Sequence, residues 1–239
     1  EFEVHGAGAR DFIQFVSSND VDRIGSGQAQ YSTLLNDAGG ILDDLLIYRF
    51  DDHFLLVVNA SNRDKDLEQL RRHAPAFDVT LRDRSDEIAL LALQGPKAEP
   101  ILSRIADVPL AGLGYYRFVE AGVNGQAALI SRTGYTGEDG FEIYLPAEAA
   151  VGLWRSLLEA GAEEGLIPAG LGARDSLRLE MGYALYGNDL DEDRTPLEAG
   201  LGWVVKLEKG DFVGREALLR QKEEGIPTKL AGFRLRKRG

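Results

Sequence analysis

Cysteine is absent from this chain of 239 residues, and its absence excludes several kinds of chemistry. A protein without cysteine has no thiol nucleophile, no thiolate ligand for a metal and no disulfide framework. This composition suits a reducing compartment, and we expect a cytoplasmic location. No apolar run approaches the roughly 18 residues that span a membrane, and residues 1–4 do not resemble a charged-then-apolar leader. The sequence therefore predicts a soluble protein with no membrane partner.

Basic residues are also scarce. Lys and Arg number 27 against 39 Asp and Glu, which gives a net charge of −12 at pH 7. Such a chain repels phosphate backbones, so the sequence predicts no nucleic-acid partner. Basic residues cluster only in the last segment, and a short terminal run of this kind is typical of a solvated tail. The run consists of Arg234, Arg236, Lys237 and Arg238.

Signatures for nucleotides and metals are incomplete. The runs that begin at Gly6 and Gly170 resemble the start of a dinucleotide fingerprint, but each lacks the third glycine, and no P-loop is present. Residues 189–195 resemble a calcium loop, but Arg194 occupies the glycine position and Gly200 stands where a bidentate Glu is needed. The three histidines lack the spacing of a zinc site. We therefore predict no metal site.

The hydrophobic pattern favours an α+β fold built from short antiparallel units over strict strand–helix–strand alternation. A β-hairpin is expected over residues 41–50 and 53–58, with a helix over 63–73 after it. Further strands are expected around 88–93, 116–119, 127–130, 141–145 and 203–207, and further helices over 96–105, 147–160 and 174–181. The helix over 147–160 is expected to bury a stripe of Leu153, Trp154, Leu157 and Leu158.

The length predicts between one and two domains. We expect a hairpin-plus-helix domain over residues 1–84, a second α+β domain over 85–205 and a connector over 206–239. The chain opens without an initiator Met and stops after an alternating stretch from Leu230 to Leu235. These two features suggest that it is a fragment of a longer protein.

Acidic residues lie among apolar residues and glycines at two places. Asp43 and Asp44 follow a glycine pair, and Glu142 alternates with Phe141 and Ile143. In a strand, Glu142 faces away from its apolar neighbours, and its burial requires a partner. The same alternation sends Asp43 and Asp44 to opposite faces, so that only one can point into a given pocket. Turns with surface acids are the alternative interpretation of both runs.

Five runs, in order along the chain, resemble the folate-dependent aminomethyltransferases, the T-protein family of the glycine cleavage system. They are residues 36–45 (NDAGGILDDL), 91–96 (LALQGP), 134–140 (GYTGEDG), 172–180 (GARDSLRLE) and 186–192 (YGNDLDE). The resemblance implies two packed antiparallel-sheet-plus-helix domains, and a C-terminal β-barrel domain that is missing from this chain. The related iron–sulfur maturation proteins carry a cysteine-containing motif, and this chain departs from it.

The resemblance also implies roles for individual residues. Asp44 is similar to the family's catalytic carboxylate, with Asp43 as its structural neighbour, and Glu142 is similar to the residue that holds the pterin. A carboxylate suits that role because it accepts two parallel hydrogen bonds from N–H groups. The other implied folate contacts are Tyr135, Arg174, Asn59, Tyr31 and the backbone near Val57. From the residues alone, Tyr31 can equally be a ring at the core edge, and Asn59 an N-terminal helix cap.

The function implied by the resemblance is aminomethyl transfer in glycine cleavage. Lipoylated H-protein would present an aminomethyl group, and tetrahydrofolate would accept it to give methylene-tetrahydrofolate and ammonia. An ionised Asp44 would stabilise the positive charge that builds on the transferred carbon. Two alternatives stay open: the folate domain of a demethylase or oxidase, and a non-catalytic folate-binding module. The lack of a flavin-binding half disfavours a fused oxidase, and the presence of Asp44 disfavours the non-catalytic module.

Overall fold

The computed structural model describes residues 1–233. The four basic residues from Arg234 to Arg238 and the end of the stretch from Leu230 to Leu235 lie outside the described residues. The strands are β1 (Phe2–His5), β2 (Gln28–Leu35), β3 (Ile41–Arg49), β4 (His53–Val57), β5 (Thr80–Asp83), β6 (Ile88–Gln94), β7 (Phe118–Val123), β8 (Gln126–Ser131) and β9 (Gly140–Pro146). The α-helices are α1 (Ala9–Val16), α2 (Arg63–His73), α3 (Ala98–Leu102), α4 (Ala150–Ala160), α5 (Leu171–Glu180) and α6 (Arg215–Glu224).

The first sheet is antiparallel and has the strand order β2-β3-β4-β1-β5. The predicted hairpin is confirmed, because β3 pairs with β4 and Leu46 lies opposite Val57. The predicted helix over 63–73 is confirmed as α2. One face of the sheet packs against α1 and α2, and full burial of each large apolar side chain there contributes about 1.5–3 kcal/mol. This core includes Phe2, Phe12, Ile47 and Leu70, none of which is exposed to solvent.

The second sheet is also antiparallel, with the order β6-β9-β8-β7. The turn between β7 and β8 contains Asn124 and Gly125, whose φ angles of 51° and 76° are typical of a two-residue hairpin turn. A second core lies between this sheet and the helices α3 and α4. Its members include Leu102, Phe141, Ile143 and Leu153. Each sheet is therefore covered by its own pair of helices.

The two sheets meet through a shared aromatic cluster. Tyr48 of the first sheet and Tyr144 of the second are buried, and their ring centroids lie 5.6 Å apart. Their hydroxyls are 3.0 Å apart, and the Tyr48 hydroxyl also donates to Ser131 Oγ at 3.2 Å. Buried hydroxyls with partners carry little desolvation penalty, so the two sheets are joined by polar as well as apolar contacts. The chain is thus α+β, with two packed antiparallel sheets and their helices.

A third core forms where the segment after α5 crosses the start of β3. Leu190 and Leu218 pack there on Leu35 and Ile41. The crossing is so close that a Cβ on Gly40 would lie 1.7 Å from the carbonyl oxygen of Glu192, which explains why a glycine is needed. The domain boundaries expected at residues 84 and 205 stay predictions.

Lys209 ties this later segment to the first helix. Its Nζ donates to the carbonyl oxygens of Gln14, Ser17 and Asn19 at 2.5, 2.5 and 2.7 Å. Helix α1 has no basic residue in its last turn. Burial lowers the pKa of Lys209 to about 7, and its amino group supplies, from a distant part of the chain, hydrogen-bond donors to carbonyl oxygens at the end of α1.

Three predicted elements differ in the structure. The helix expected over 96–105 ends at Leu102, because the backbone then closes tighter turns, such as the bond from Ile105 N to Leu102 O. The strand expected from Tyr116 begins at Phe118, since Tyr116 has a φ of 59°. The strand expected over 203–207 is wrong. Val204 N donates to Leu201 O there, which closes a turn, and a short 3-10 helix follows.

Candidate active site

Asp44 lies on β3 just before the part of the strand that pairs with β4. Its Oδ2 accepts a hydrogen bond of 2.9 Å from the Tyr31 hydroxyl, and its Oδ1 accepts one of 2.9 Å from Asn59 Nδ2. Burial and the nearby charge of Asp43 raise the pKa of Asp44 to about 6, although both hydrogen bonds favour the charged form. The side chain is therefore fixed in orientation and titrates close to neutral pH.

Asp43 turns to the side of the sheet that carries α2, as strand alternation requires, and is fully buried. It accepts hydrogen bonds from Asn59 N and Asn59 Nδ2, both at 2.9 Å, and from Asn62 Nδ2 at 2.6 Å. The amide of Asn59 thus contacts both aspartates, so the two are linked although they leave opposite faces of the strand. Asn59 does occupy the N-cap position of the 3-10 helix over Ala60–Asn62, but its side chain makes no capping hydrogen bond and binds the aspartates instead.

Tyr31 and Val57 flank these acids. Tyr31 lies on β2 with its ring stacked on Trp203 at a centroid distance of 5.9 Å. Trp203 itself is 62% exposed. Val57 is the last residue of β4, so the backbone that follows it leads directly to Asn59. The end of β4 therefore places Asn59 next to the aspartates. On the other side, the Tyr31 ring, stacked on Trp203, lies beside Asp44.

Glu142 lies on β9 between Phe141 and Ile143, which are fully buried in the second core. As alternation predicts, Glu142 faces the other way, and its Oε2 accepts a hydrogen bond of 2.5 Å from the Thr133 hydroxyl. Burial raises the pKa of Glu142, while Thr133 and the charge of Arg174 act in the opposite direction. The carboxylate is thus anchored through one oxygen.

A cavity of about 280 Å³ adjoins Glu142. Tyr135 and Arg174 line it together with Glu142, while Asp44, Tyr31, Asn59 and Val57 are not among its lining residues. Trp154, expected in the buried stripe of α4, also lines this cavity and is 42% exposed. That expectation was wrong because the face of α4 next to Leu153 and Leu157 borders the cavity rather than the core. The apolar lining includes Leu91, Leu93, Leu157, Leu158, Ile167, Leu171 and Leu177.

Tyr135 stands between the two groups of residues. The Arg174 guanidinium lies 4.6 Å from the centroid of its ring, and the ring stacks on Tyr183 at 5.8 Å. Its hydroxyl donates to the carbonyl oxygen of Ala184. Burial and the charge of Asp44 raise the pKa of Tyr135 to about 12. Tyr135 therefore contacts Arg174 directly and responds to the charge of Asp44.

Sequence reasoning missed Gln94 as a site residue. Its Nε2 donates to the carbonyl oxygens of Thr133 and Phe141 at 3.1 and 3.2 Å, and the side chain lines the cavity. A Cβ on Gly134 would lie 2.0 Å from Gln94 Oε1, and a Cβ on Gly140 would lie 2.5 Å from it. The glycines of the run 134–140 thus make room for Gln94. The signal was present, because Gln94 itself belongs to another of the five runs.

Arg178, one turn after Arg174, has a different role. It is only 4% exposed and binds Asp175 Oδ1 at 2.8 Å, the Tyr183 carbonyl oxygen at 3.1 Å and the Asp189 carboxylate. A buried guanidinium that is fully paired holds the backbone around it in place. Arg178 therefore fixes the segment after α5, while Arg174 is left exposed beside Tyr135.

Among residues 1–233, no group of three or more His, Cys, Asp or Glu side chains has the geometry to hold a metal ion. No helix within the same range is both long enough and apolar enough to cross a membrane.

Curated proteins with similar sequences are aminomethyltransferases. The aminomethyltransferase of Chloroherpeton thalassium is 52% identical over 236 residues, which cover 98% of this chain and 65% of that protein. The aminomethyltransferase of Desulfitobacterium hafniense is 54% identical over 240 residues, which cover 100% of this chain and 66% of that protein. The chain thus spans slightly less than two thirds of the length of these relatives.

Two solved structures and one family model also match this chain. The glycine cleavage system aminomethyltransferase T from Bartonella henselae superposes with a TM-score of 0.85 at 39% identity, over 94% of this chain and 61% of that one. A heterotetrameric sarcosine oxidase from Corynebacterium sp. U-96 is similar in fold alone, with a TM-score of 0.52 and 18% identity over 71% of this chain and 82% of that one. Residues 1–209 match the model of the GCVT N-terminal domain. The chain belongs to the GCVT N-terminal domain family.

Proposed function

We propose that this chain is the folate-binding and catalytic part of an aminomethyltransferase of the glycine cleavage system. Lipoylated H-protein would present an aminomethyl group on sulfur, and tetrahydrofolate would accept the carbon. The C–S bond and the C–N bond of that group break, two C–N bonds to the folate form, and ammonia and the free thiol leave. One observation carries the proposal: Asp44 is held between Tyr31 and Asn59 in a chain 52–54% identical to aminomethyltransferases.

Asp44 would act on the positive charge that builds on the transferred carbon. With a pKa of about 6, roughly nine-tenths of its carboxyls are ionised at pH 7. An ionised carboxylate held in place by Tyr31 and Asn59 needs no reorientation as the cation develops, which is the condition for electrostatic catalysis. It can also accept a proton from the attacking nitrogen later in the reaction.

Glu142 and its cavity would bind the pterin. The Thr133 hydroxyl holds one carboxylate oxygen and leaves the other available for N–H donors of the ring. The apolar walls of the cavity suit a flat heteroaromatic group, and a few polar groups among them set its orientation. Tyr135 and Arg174 line the same cavity, and Tyr31, Asn59 and the backbone near Val57 would contact the folate on the side of Asp44.

The deciding experiment measures ammonia release from aminomethyl-loaded H-protein, with and without tetrahydrofolate. We expect release that depends on tetrahydrofolate and yields methylene-tetrahydrofolate in equal amount. Folate binding with no release would support a non-catalytic folate-binding module instead. Activity on an N-methyl amine and none on loaded H-protein would support the folate domain of a demethylase or oxidase. The sarcosine oxidase that is similar to this chain in fold represents that alternative. Either result would contradict the proposal.

The location and partners follow from this activity. We infer a cytoplasmic protein whose macromolecular partner is lipoylated H-protein, with no role for nucleic acid or a membrane. The net charge of −12 disfavours phosphate backbones, and no described helix is suited to span a bilayer.

A further inference from the structure

A second buried acid lies behind Asp43. Asp66 is on α2, is fully buried, and neither of its carboxylate oxygens has a hydrogen-bond donor among the described side chains and backbone groups. It lies one helical turn after Asn62, whose Nδ2 donates to Asp43 at 2.6 Å, so the two carboxyl groups face each other from α2 and β3. Two buried carboxylates in contact cannot both be ionised without a large penalty, so one of them must hold a proton.

The distribution of donors decides which of the two carries the proton. Asp43 accepts three hydrogen bonds from Asn59 and Asn62, which stabilise its charged form. Asp66 accepts none, and only a proton gives it a bond to make. Burial and the charge of Asp43 raise the pKa of Asp66 to about 9, in agreement with the geometry.

We propose that Asp66 is a positioning residue: as an un-ionised acid it donates a hydrogen bond to Asp43 and thereby orients Asn59 and Asp44. The proposal rests on the proposed function only in its last step, where Asp44 acts. Asn59 Nδ2 lies 2.9 Å from Asp43 Oδ1 and 2.9 Å from Asp44 Oδ1, so one amide transmits the position of the buried pair to the catalytic carboxylate.

The other charged groups near Asp66 leave this arrangement intact. Lys65 on the same helix lowers the pKa of Asp66, but its Nζ donates to the Tyr186 hydroxyl at 2.6 Å and to Glu192 at 3.1 Å. The charge of Asp44 acts in the other direction and raises the pKa of Asp66. Asp43 is therefore the group that accepts the hydrogen bond of Asp66.

Two substitutions of Asp66 and one matched control test the proposal. In Asp66→Asn the amide still donates to Asp43, whereas Asp66→Ala removes the donor. Asp64→Asn changes an exposed acid on the same helix. We expect Asp66→Ala to lower kcat for ammonia release on the order of tenfold to a hundredfold, because catalytic groups lose their alignment. Asp66→Asn should stay within several-fold of wild type, and KM for tetrahydrofolate should change little in either variant.

An infrared measurement tests the proton itself without any substrate. At about pH 7.5, between the pKa values of Asp44 and Asp66, the difference spectrum of wild type minus Asp66→Asn should contain the carbonyl band of an un-ionised carboxylic acid. Asp64→Asn should leave that band in place. Absence of the band would overturn the proposal even if Asp66→Ala fails to fold.

The kinetic and infrared results distinguish a failure of the proposed function from a failure of the positioning role of Asp66. If wild type releases no ammonia, the proposed function fails, and the band alone then decides where the proton lies. If wild type is active but Asp66→Ala and Asp66→Asn have equal kcat, or if both raise KM instead, the positioning role is wrong.

Discussion

The hydroxyl of Tyr31 donates a hydrogen bond of 2.9 Å to Oδ2 of Asp44. This bond joins neighbouring strands of the first sheet and favours the charged form of the carboxylate. Together with Asn59 on the other oxygen, it leaves Asp44 with a single orientation. The pair therefore governs both the direction in which Asp44 points and the pH at which it ionises.

Tyr31→Phe removes that hydrogen bond and keeps the ring. The proposed transfer reaction would need ionised Asp44, so we expect activity to fall as pH decreases through about 6. Without the Tyr31 donor the charged form is less stable, so we expect the acidic limb of the kcat–pH profile to move to higher pH. Tyr115→Phe changes a ring that is 64% exposed and should leave the profile unchanged. An acidic limb at or below the wild-type position would contradict this expectation.

Asp44→Asn removes the charge and keeps the shape of the side chain. We expect transfer to fall on the order of a hundredfold or more, because a preorganised charge is lost where the cation develops. The folate dissociation constant, measured by calorimetry, should stay within several-fold of wild type. Asp51→Asn, in the exposed turn between β3 and β4, serves as the control. Full activity of Asp44→Asn would refute the assignment.

Glu142→Ala removes the acceptor on the cavity side, while the Thr133 hydroxyl keeps Ser131 Oγ as a partner at 2.9 Å. We expect folate binding to weaken by about tenfold or more, since a hydrogen bond to a charged group contributes about 1.5–3 kcal/mol. Glu148→Ala removes an exposed acid just after β9 and should bind folate as wild type does. A folate dissociation constant that is the same in both variants would count against the pterin-binding role.

The raised pKa of Asp66 predicts how the free energy of unfolding depends on pH. The pKa of Asp66 is about 9 in the folded protein and near 3.8 in the unfolded chain, so the folded state holds one more proton between these values. The contribution of Asp66 to the free energy of unfolding is therefore largest at low pH. It decreases as pH rises between these two pKa values, by up to about 1.4 kcal/mol per pH unit. Denaturant unfolding at several pH values should give a flatter dependence for Asp66→Asn than for wild type. Equal slopes would rule out the shifted acid.

Lys209→Met removes the amino group that binds three carbonyl oxygens at the end of α1. We expect the free energy of unfolding to fall by about 2–4 kcal/mol, because buried carbonyls lose their donor. Lys222→Met, at an exposed position on α6, is the matched control. Thermal unfolding of both variants gives the comparison, and equal losses would show that the carbonyl contacts contribute little.

Local pattern was sufficient for most of the fold. The hairpin over 41–58, α2 and the alternating strand β9 follow from hydrophobic periodicity and polar turns, which act within a few residues. The failures lie where local pattern is ambiguous. Residues 203–207 are apolar enough for a strand, but the segment begins with a turn instead. Trp203 in that turn stacks on Tyr31.

By itself the sequence determined that Asp43 and Asp44 leave opposite faces of one strand and that Glu142 faces away from Phe141, because side-chain direction in a strand has a period of two. Only the tertiary structure decided that Asn59 joins both aspartates, that Asp66 is buried without a hydrogen-bond donor, and that Trp154 borders a cavity instead of the core. These contacts connect residues that are distant along the chain, so their distances and burial depend on how sheets and helices pack, which no local pattern encodes.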